Sequence, residues 1–118
     1  MNQQPNAPIL AVVFYKSEGG NEPVREWLKG LAREDRKIIG EDLKTVQFGW
    51  PLGMPLIRKL EPGIWEVRSR ITQGIARVLF TVEGPTMVLL NGFIKKSQKT
   101  QRADLQTARQ RLANLHKE

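Results

Sequence analysis

The sequence predicts an α+β fold in which an N-terminal strand, a helical hairpin, an antiparallel meander of three or more strands and a C-terminal helix follow one another. Three observations predict it. Runs rich in β-branched and aromatic residues occur near the start of the chain and between residues 64 and 95. Apolar residues recur at helical spacing between residues 24 and 46 and again after residue 100. Glycine and proline mark the boundaries between these segments.

The first half of the chain is predicted to contain one strand and two helices. Residues 9–15 form a short apolar run that is typical of a buried strand. Asn21 is predicted to cap a helix that ends near Gly30, because apolar residues follow it at helical spacing. A second helix is predicted to start near Glu34, and residues 48–55, with two glycines and two prolines, are predicted to form a loop. The apolar stripe of the second helix is Ile39, Leu43 and Val46.

The second half is predicted to be a meander followed by a helix. Strands are expected at residues 64–71, 75–82 and 87–95, because turn residues separate three apolar runs. Helical spacing then returns, with apolar positions at Leu105, Ala108, Leu112 and Leu115. A chain of 118 residues with 40% hydrophobic content can build one modest core, so residues 1–118 are expected to form a single domain.

The chain is strongly basic, with 19 Lys and Arg against 12 Asp and Glu and a net charge of +7. The acids lie mostly between Glu18 and Glu66, whereas the segment from Arg68 to Lys117 is predominantly basic. This balance favours a polyanionic partner such as nucleic acid or an acidic protein. The absence of cysteine excludes disulfides and fits a reducing cytoplasm. No apolar stretch reaches the ~20 residues of a membrane span, and no signal peptide is recognisable.

Strand alternation sorts the side chains of the first two meander strands onto two faces. Val67 points to an apolar face and Arg68 to the other, and Val78 and Arg77 divide in the same way in the next strand. Both faces stay consistent only if Val67 pairs with Val78, a register that puts Arg68 directly across from Arg77.

Two arginines that face each other repel, so this pair suggests a bound anion. A phosphate would fit, because guanidinium groups bind its oxygens bidentately and keep their charge. Alternatively, Glu66 and the acidic helices neutralise the two arginines, or both side chains extend into solvent. Because the arginines lie off the predicted core face, alanine at Arg68 or Arg77 is expected to leave the fold intact.

A second basic cluster follows the last predicted strand, where Lys95, Lys96 and Lys99 fall within five residues. Such a cluster either attracts an anion or simply solubilises the end of the strand. Other site types have little support. The sequence contains no group of residues with metal-ligand spacing, no phosphate-binding glycine loop and no nucleophile elbow, and we expect no cofactor. Few aromatic residues lie outside the predicted core, so nucleic-acid recognition is expected to depend on charge.

Several segments together resemble the RelE/ParE toxin superfamily and, within it, the HigB-like, phage-derived branch of type II toxin–antitoxin toxins. They are Arg-Lys-Leu at 58–60, Pro-Gly-Ile-Trp-Glu-Val-Arg at 62–68, Gly-Ile-Ala-Arg-Val-Leu-Phe at 74–80 and Leu-Leu-Asn-Gly-Phe-Ile-Lys-Lys-Ser-Gln-Lys-Thr at 89–100. The order of the predicted elements agrees over nearly the full chain. The resemblance implies a RelE-like α+β fold.

The resemblance also implies an activity. RNA-cutting members enter the ribosomal A site and promote attack of a ribose 2′-hydroxyl on the adjacent phosphate of mRNA, without a metal. Position by position, Arg68 and Arg77 match the basic strand positions of the family, and Lys95 and Lys96 match the basic pair after the last strand. These four residues are the implied catalytic residues. The reserve candidates for RNA contact are Lys59, Arg70 and Lys99. A cognate antitoxin, acidic or DNA-binding, is the implied protein partner.

One departure from the family pattern leaves the proton transfer open. Many RNA-cutting relatives have a tyrosine or histidine near the C-terminus, and this chain has no clear equivalent after Lys96. Either a lysine whose pKa is lowered by neighbouring cations acts as the base, or cleavage is slow or absent. The alternative functions are a ParE-like inhibitor of DNA gyrase, a nucleic-acid-binding protein without catalysis, and an inactive prophage relic.

Overall fold

The computed structural model describes residues 7–95 and 102–117. Its elements follow the predicted order of strand, helical hairpin, meander and closing helix, which confirms the α+β fold. The elements are β1 (Ala11–Phe14), α1 (Pro23–Lys29), α2 (Arg33–Gly49), β2 (Ile57–Glu61), β3 (Ile64–Ile71), β4 (Gly74–Glu83), β5 (Thr86–Lys95) and α3 (Arg102–Leu115).

All five strands form one sheet in the order β1-β5-β4-β3-β2. Strands β2 to β5 make an antiparallel meander, and β1 pairs with β5 in parallel, so the sheet is mixed. Strand β2 adds a fourth strand to the meander, in which the sequence predicts strands at residues 64–71, 75–82 and 87–95. The predicted register is correct, because Val67 pairs with Val78 and Arg68 with Arg77.

The helical hairpin covers one face of the sheet, which we call the first face. The predicted stripe of α2 is buried there against strand residues such as Val67, Val78 and Phe80. Helix α1 lies on β5, where the ring of Trp27 occupies the space beside Gly92: a Cβ on Gly92 would come within 2.4 Å of the ring. This close approach accounts for the glycine in the middle of a strand.

Helix α3 covers part of the opposite, second face. Its apolar residues pack on a smaller core that includes Tyr15, Ile64, Leu79 and Leu90. Ala108, one of the predicted apolar positions of α3, is fully buried, and Leu105, Leu112 and Leu115 pack around it. Tyr15, which directly follows β1, is buried in this smaller core.

Two predicted boundaries in the helical hairpin are wrong. Glu22 rather than Asn21 precedes the first turn of α1, and its side chain makes no capping hydrogen bond. Helix α2 continues to Gly49, so Phe48 is helical and the loop begins at Trp50. The ring of Trp50 packs edge-on against Trp65, with centroids 5.2 Å apart, which favours continuation of the helix toward the core.

A β-bulge interrupts the pairing of β4 with β5. Leu79 pairs with Asn91 and Phe80 with Leu89, so Leu90 is an extra residue in β5. Helix α3 holds this bulge: Arg111 Nη1 donates to the Leu90 carbonyl over 2.8 Å, and Asn91 Nδ2 donates to a carbonyl of α3 over 3.0 Å. The unpaired backbone of the bulge thus gains partners from side chains.

Candidate functional site: a basic face on the sheet

The second face carries a group of charged side chains beyond the part that α3 covers. They lie on neighbouring strands, because residues paired in an antiparallel sheet point to the same side. Arg58 of β2 pairs with Glu66 of β3, Arg68 pairs with Arg77, and the next row contains Arg70 and, across β4, Lys95. We call these six residues, Arg58, Glu66, Arg68, Arg70, Arg77 and Lys95, the basic face.

Glu66 and Arg77 form a buried ion pair at the centre of the basic face. The Arg77 Nη1 atom lies 3.3 Å from Glu66 Oε2, and both side chains are 0% exposed. Burial of two charges is costly unless they are paired, so each residue requires the other. The structure thus shows neutralisation by Glu66. The premise that the Arg77 side chain lies off the core is wrong, because this side chain is fully buried, and alanine here would leave Glu66 as an unpaired buried charge.

Arg68 lies on the other side of the same carboxylate and remains accessible. Its Nε atom is 3.9 Å from Glu66 Oε1, and 15% of its side chain is exposed. One carboxylate therefore faces two guanidinium groups, and the three side chains keep a net charge of +1. An incoming anion meets Arg68 first.

A half-open cavity of about 420 Å³ borders Arg68. It lies between α2, the segment before β2 and the end of β3. Asp42, Arg68 and Arg70 supply its polar wall, and the apolar wall consists of Ile38, Pro55, Leu56 and Ile75. Its volume falls within the range of small-molecule sites, so a nucleotide-sized group can enter beside Arg68.

Lys95 stands at the edge of the basic face, next to the start of α3. Its Nζ atom lies 3.2 Å from Asp104 Oδ2 and 5.6 Å from the centre of the Phe93 ring. The side chain is 17% exposed, and its ion pair ties the end of β5 to the first turn of α3. Lys95 therefore has a structural partner as well as access to solvent.

The remaining predicted residues are distributed differently. Arg70 is exposed on the basic face. Lys59 lies on the first face, with Nζ 5.6 Å from the centre of the Trp65 ring, so it is separated from the other candidates by the sheet. Lys96 and Lys99 lie outside the described residues.

Sequence reasoning missed Arg58. Adjacent residues in a strand point to opposite faces, so only one of Arg58 and Lys59 can join the basic face. The register of β2 decides which, and β2 had no predicted partner. Strand β2 has only five residues between a loop and a turn, and so short a strand shows too little alternation of apolar and polar residues to fix its register.

Within residues 7–95 and 102–117, no group of three His, Asp or Glu residues is arranged to hold a metal ion. No helix in the described part of the chain has the length and apolar character needed to span a membrane.

Comparison with known proteins gives one family. A family model described as "Phage derived protein Gp49-like (DUF891)" matches residues 26–113, about three quarters of the chain. The matched segment includes the second half of α1, all of α2, the meander and most of α3. No curated protein matches the chain.

Proposed function

The chain belongs to the Gp49-like family of phage-derived proteins, a RelE-like toxin family, and on that premise we propose that it is the toxin of a type II toxin–antitoxin system. We propose further that it is a ribosome-dependent mRNA endoribonuclease of the HigB-like branch. The observation that carries this proposal is the basic face, where Arg68, Arg77 and Lys95 lie on the same side of three adjacent strands.

The basic face suits a reaction in which negative charge develops on a phosphate. Attack of a ribose 2′-hydroxyl on the adjacent phosphate adds charge to the phosphate oxygens in the transition state. Fixed cations stabilise that charge without further reorganisation. Arg68 is the proposed direct contact, since its guanidinium is accessible and can bind two oxygens. Arg70 and the adjacent cavity are proposed to hold the flanking nucleotide.

Arg77 has a different proposed part, because it is buried in the described conformation. Through Glu66 it fixes the carboxylate that faces Arg68, and it would reach the phosphate only after its surroundings open. Lys95, with Lys96, is proposed to neutralise the departing oxygen or to transfer its proton. Lys59 is a less favourable candidate for RNA contact, because it lies across the sheet.

A cognate antitoxin is the proposed partner that keeps the protein inactive in the cytoplasm. The net charge of +7 supports an acidic binding segment in that antitoxin. Messenger RNA in the ribosome is the proposed substrate, and no cofactor is required for this chemistry.

A second function, nucleic-acid binding without cleavage, is favoured by one observation. The Glu66–Arg77 pair is fully buried, and a pair of this kind can serve the fold alone. The two functions differ in the fate of the message, so one experiment separates them.

Toeprinting of a programmed bacterial ribosome tests the proposal. The wild-type protein is expected to cut the message in the A site, and Arg68→Ala is expected to lower the rate by about 10²-fold or more, as loss of an oxyanion-type donor does. Arg25→Ala, at an exposed arginine of α1, is the matched control and should cut normally. An intact message with wild-type protein would exclude the nuclease and lead to a DNA supercoiling assay for gyrase inhibition.

A further inference from the structure

Helix α2 presents a second basic surface, on the side of the molecule opposite the basic face. Asp35, Ile39, Leu43 and Val46 are buried against the sheet, and the outward residues are exposed. At about 100° per residue, five of the exposed residues fall within about 100° of the helix circumference. We call them the α2 stripe: Arg33, Arg36, Lys37, Gly40 and Lys44. Glu34 and Glu41 lie on the same exposed side of the helix, next to Lys37.

The four cations of the α2 stripe differ from those of α1. In α1, Arg25 and Lys29 each form an ion pair with a glutamate three residues earlier. Within the part of the chain that the structure describes, none of the four α2 cations forms an ion pair, although Glu41 is within helical reach of Lys37 and Lys44. Their charge is therefore directed outward, and a shallow depression is lined by Arg33, Arg36 and Lys37 together with Glu34.

Gly40 has no internal explanation. It lies near the middle of a 17-residue helix, where glycine is markedly less favourable than alanine. No atom lies within 4 Å of the position of a Cβ at Gly40, and its φ is not in the left-handed region. Neither packing nor backbone conformation requires a glycine here. Close approach of a partner to the helix backbone would account for it.

The composition of the stripe indicates the occupant. Protein interfaces depend on aromatic and large apolar anchors, and single-stranded nucleic acid is bound by stacking on aromatic rings. The α2 stripe contains neither. It is a rigid row of charge, roughly 16 Å from Arg33 to Lys44, which fits the regular phosphate row of a duplex.

We propose that the α2 stripe binds the phosphodiester backbone of a double helix, with Gly40 at the point of closest approach. This surface goes beyond the proposed function, because it lies across the sheet from the basic face and needs no cleavage. A protein with both surfaces would contact two separate nucleic-acid segments at once.

Duplex binding is tested by fluorescence anisotropy with a labelled RNA duplex of 16 base pairs over a series of salt concentrations. The variant Lys37→Ala/Lys44→Ala is expected to bind about 10-fold or more weaker and to reduce the slope of log K against log salt by roughly 2, because two phosphate contacts are lost. The matched control is Lys16→Ala/Lys117→Ala, two exposed lysines near a different groove. If both pairs of substitutions reduced the affinity equally, the stripe would not be the site.

Gly40→Gln separates a role of Gly40 in duplex binding from a role in helix stability, because the substitution is expected to change the two in opposite directions. Better helix propensity should raise Tm by about 4 °C, while the added side chain should weaken duplex binding by at least 5-fold. Unchanged duplex affinity in this variant would overturn the close approach. A DNA duplex and a polyglutamate peptide of equal charge serve as competitors. Stronger competition by the peptide than by unlabelled RNA duplex would overturn the nucleic-acid assignment in favour of an acidic protein.

Discussion

Glu66 is the residue on which the basic face depends. It is the carboxylate between Arg68 and Arg77, at 3.9 Å and 3.3 Å from their nearest nitrogen atoms. Without it, two like charges on neighbouring strands would face each other, one of them inside the protein. A residue that would be an ordinary acid on a surface strand is thus required here by the burial of its partner.

Removal of the Glu66 charge is expected to be severely destabilising. Glu66→Gln keeps the shape of the side chain but leaves the buried Arg77 charge uncompensated, and a broken buried pair typically costs about 3–5 kcal/mol. Urea unfolding of the variant measures this loss. The double variant Glu66→Leu/Arg77→Met, which removes both charges, should recover most of the stability. If Glu66→Gln alone lay within about 1 kcal/mol of wild type, the pair would not be buried in solution.

At the scale of elements, α3 is connected to the sheet at several separate places. Its apolar stripe covers the smaller core, Arg111 binds the bulge in β5, and Asp104 pairs with Lys95. Arg109 adds a bidentate contact to Glu61 at the end of β2, with Nη2 to Oε1 at 2.7 Å and Nε to Oε2 at 3.0 Å. The closing helix therefore reaches both β2 and β5.

The Arg109–Glu61 contact is expected to give α3 a pH-dependent attachment. The hydrogen bond from Arg109 holds the pKa of Glu61 below its ordinary value of 4.5, and charge attraction adds to this effect. A lowered pKa in the folded state means that the contribution is present above pH 4.5 and is lost as the pH falls through the lowered pKa. Thermal unfolding should show a small Tm difference between wild type and Arg109→Ala at pH 7 that vanishes in acid. A difference that persists at low pH would mean that Arg109 acts through packing.

The elements also show how far the sequence alone could lead. The bounds of β3 were predicted without error, because apolar residues such as Val67 alternate with charged residues such as Arg68 along the strand and a turn flanks it on each side. Strand β5 is apolar on both sides, so no alternation revealed the bulge at Leu90. The burial of Arg77 depends on what covers the second face in three dimensions. Strand parity predicts the face on which a side chain lies, and it carries no information about the depth of its cover.

For the whole molecule, the number of residues between two paired strands sets the entropy cost of bringing them together. Val13 of β1 pairs with Val88 of β5, whereas the β3–β4 hairpin closes between Ile71 and Gly74. Closing the longer loop costs more chain entropy before any contact is gained. The meander should therefore form first, and the parallel edge strand should join it late.

Folding kinetics can test this order with two core truncations. Leu10→Ala, beside β1, should mainly speed unfolding, with a φ-value near zero, and Val78→Ala, in the centre of β4, should slow folding, with a φ-value above about 0.5. Both side chains are buried, so both substitutions should change stability enough to measure. Equal φ-values at the two positions would contradict a late β1.

The bulge in β5 adds one residue to the strand, and this extra residue decides on which face of the sheet the later side chains of β5 lie. Before Leu90, alternate residues such as Val88 face α3; after it the alternation is offset, so Phe93 and Lys95 point to the side of Arg77. If β5 paired regularly through Leu90, Lys95 would point to the opposite side of the sheet, next to the helical hairpin, although no charge in the protein would have changed. The single extra residue of the bulge thus brings a cation of β5 onto the basic face.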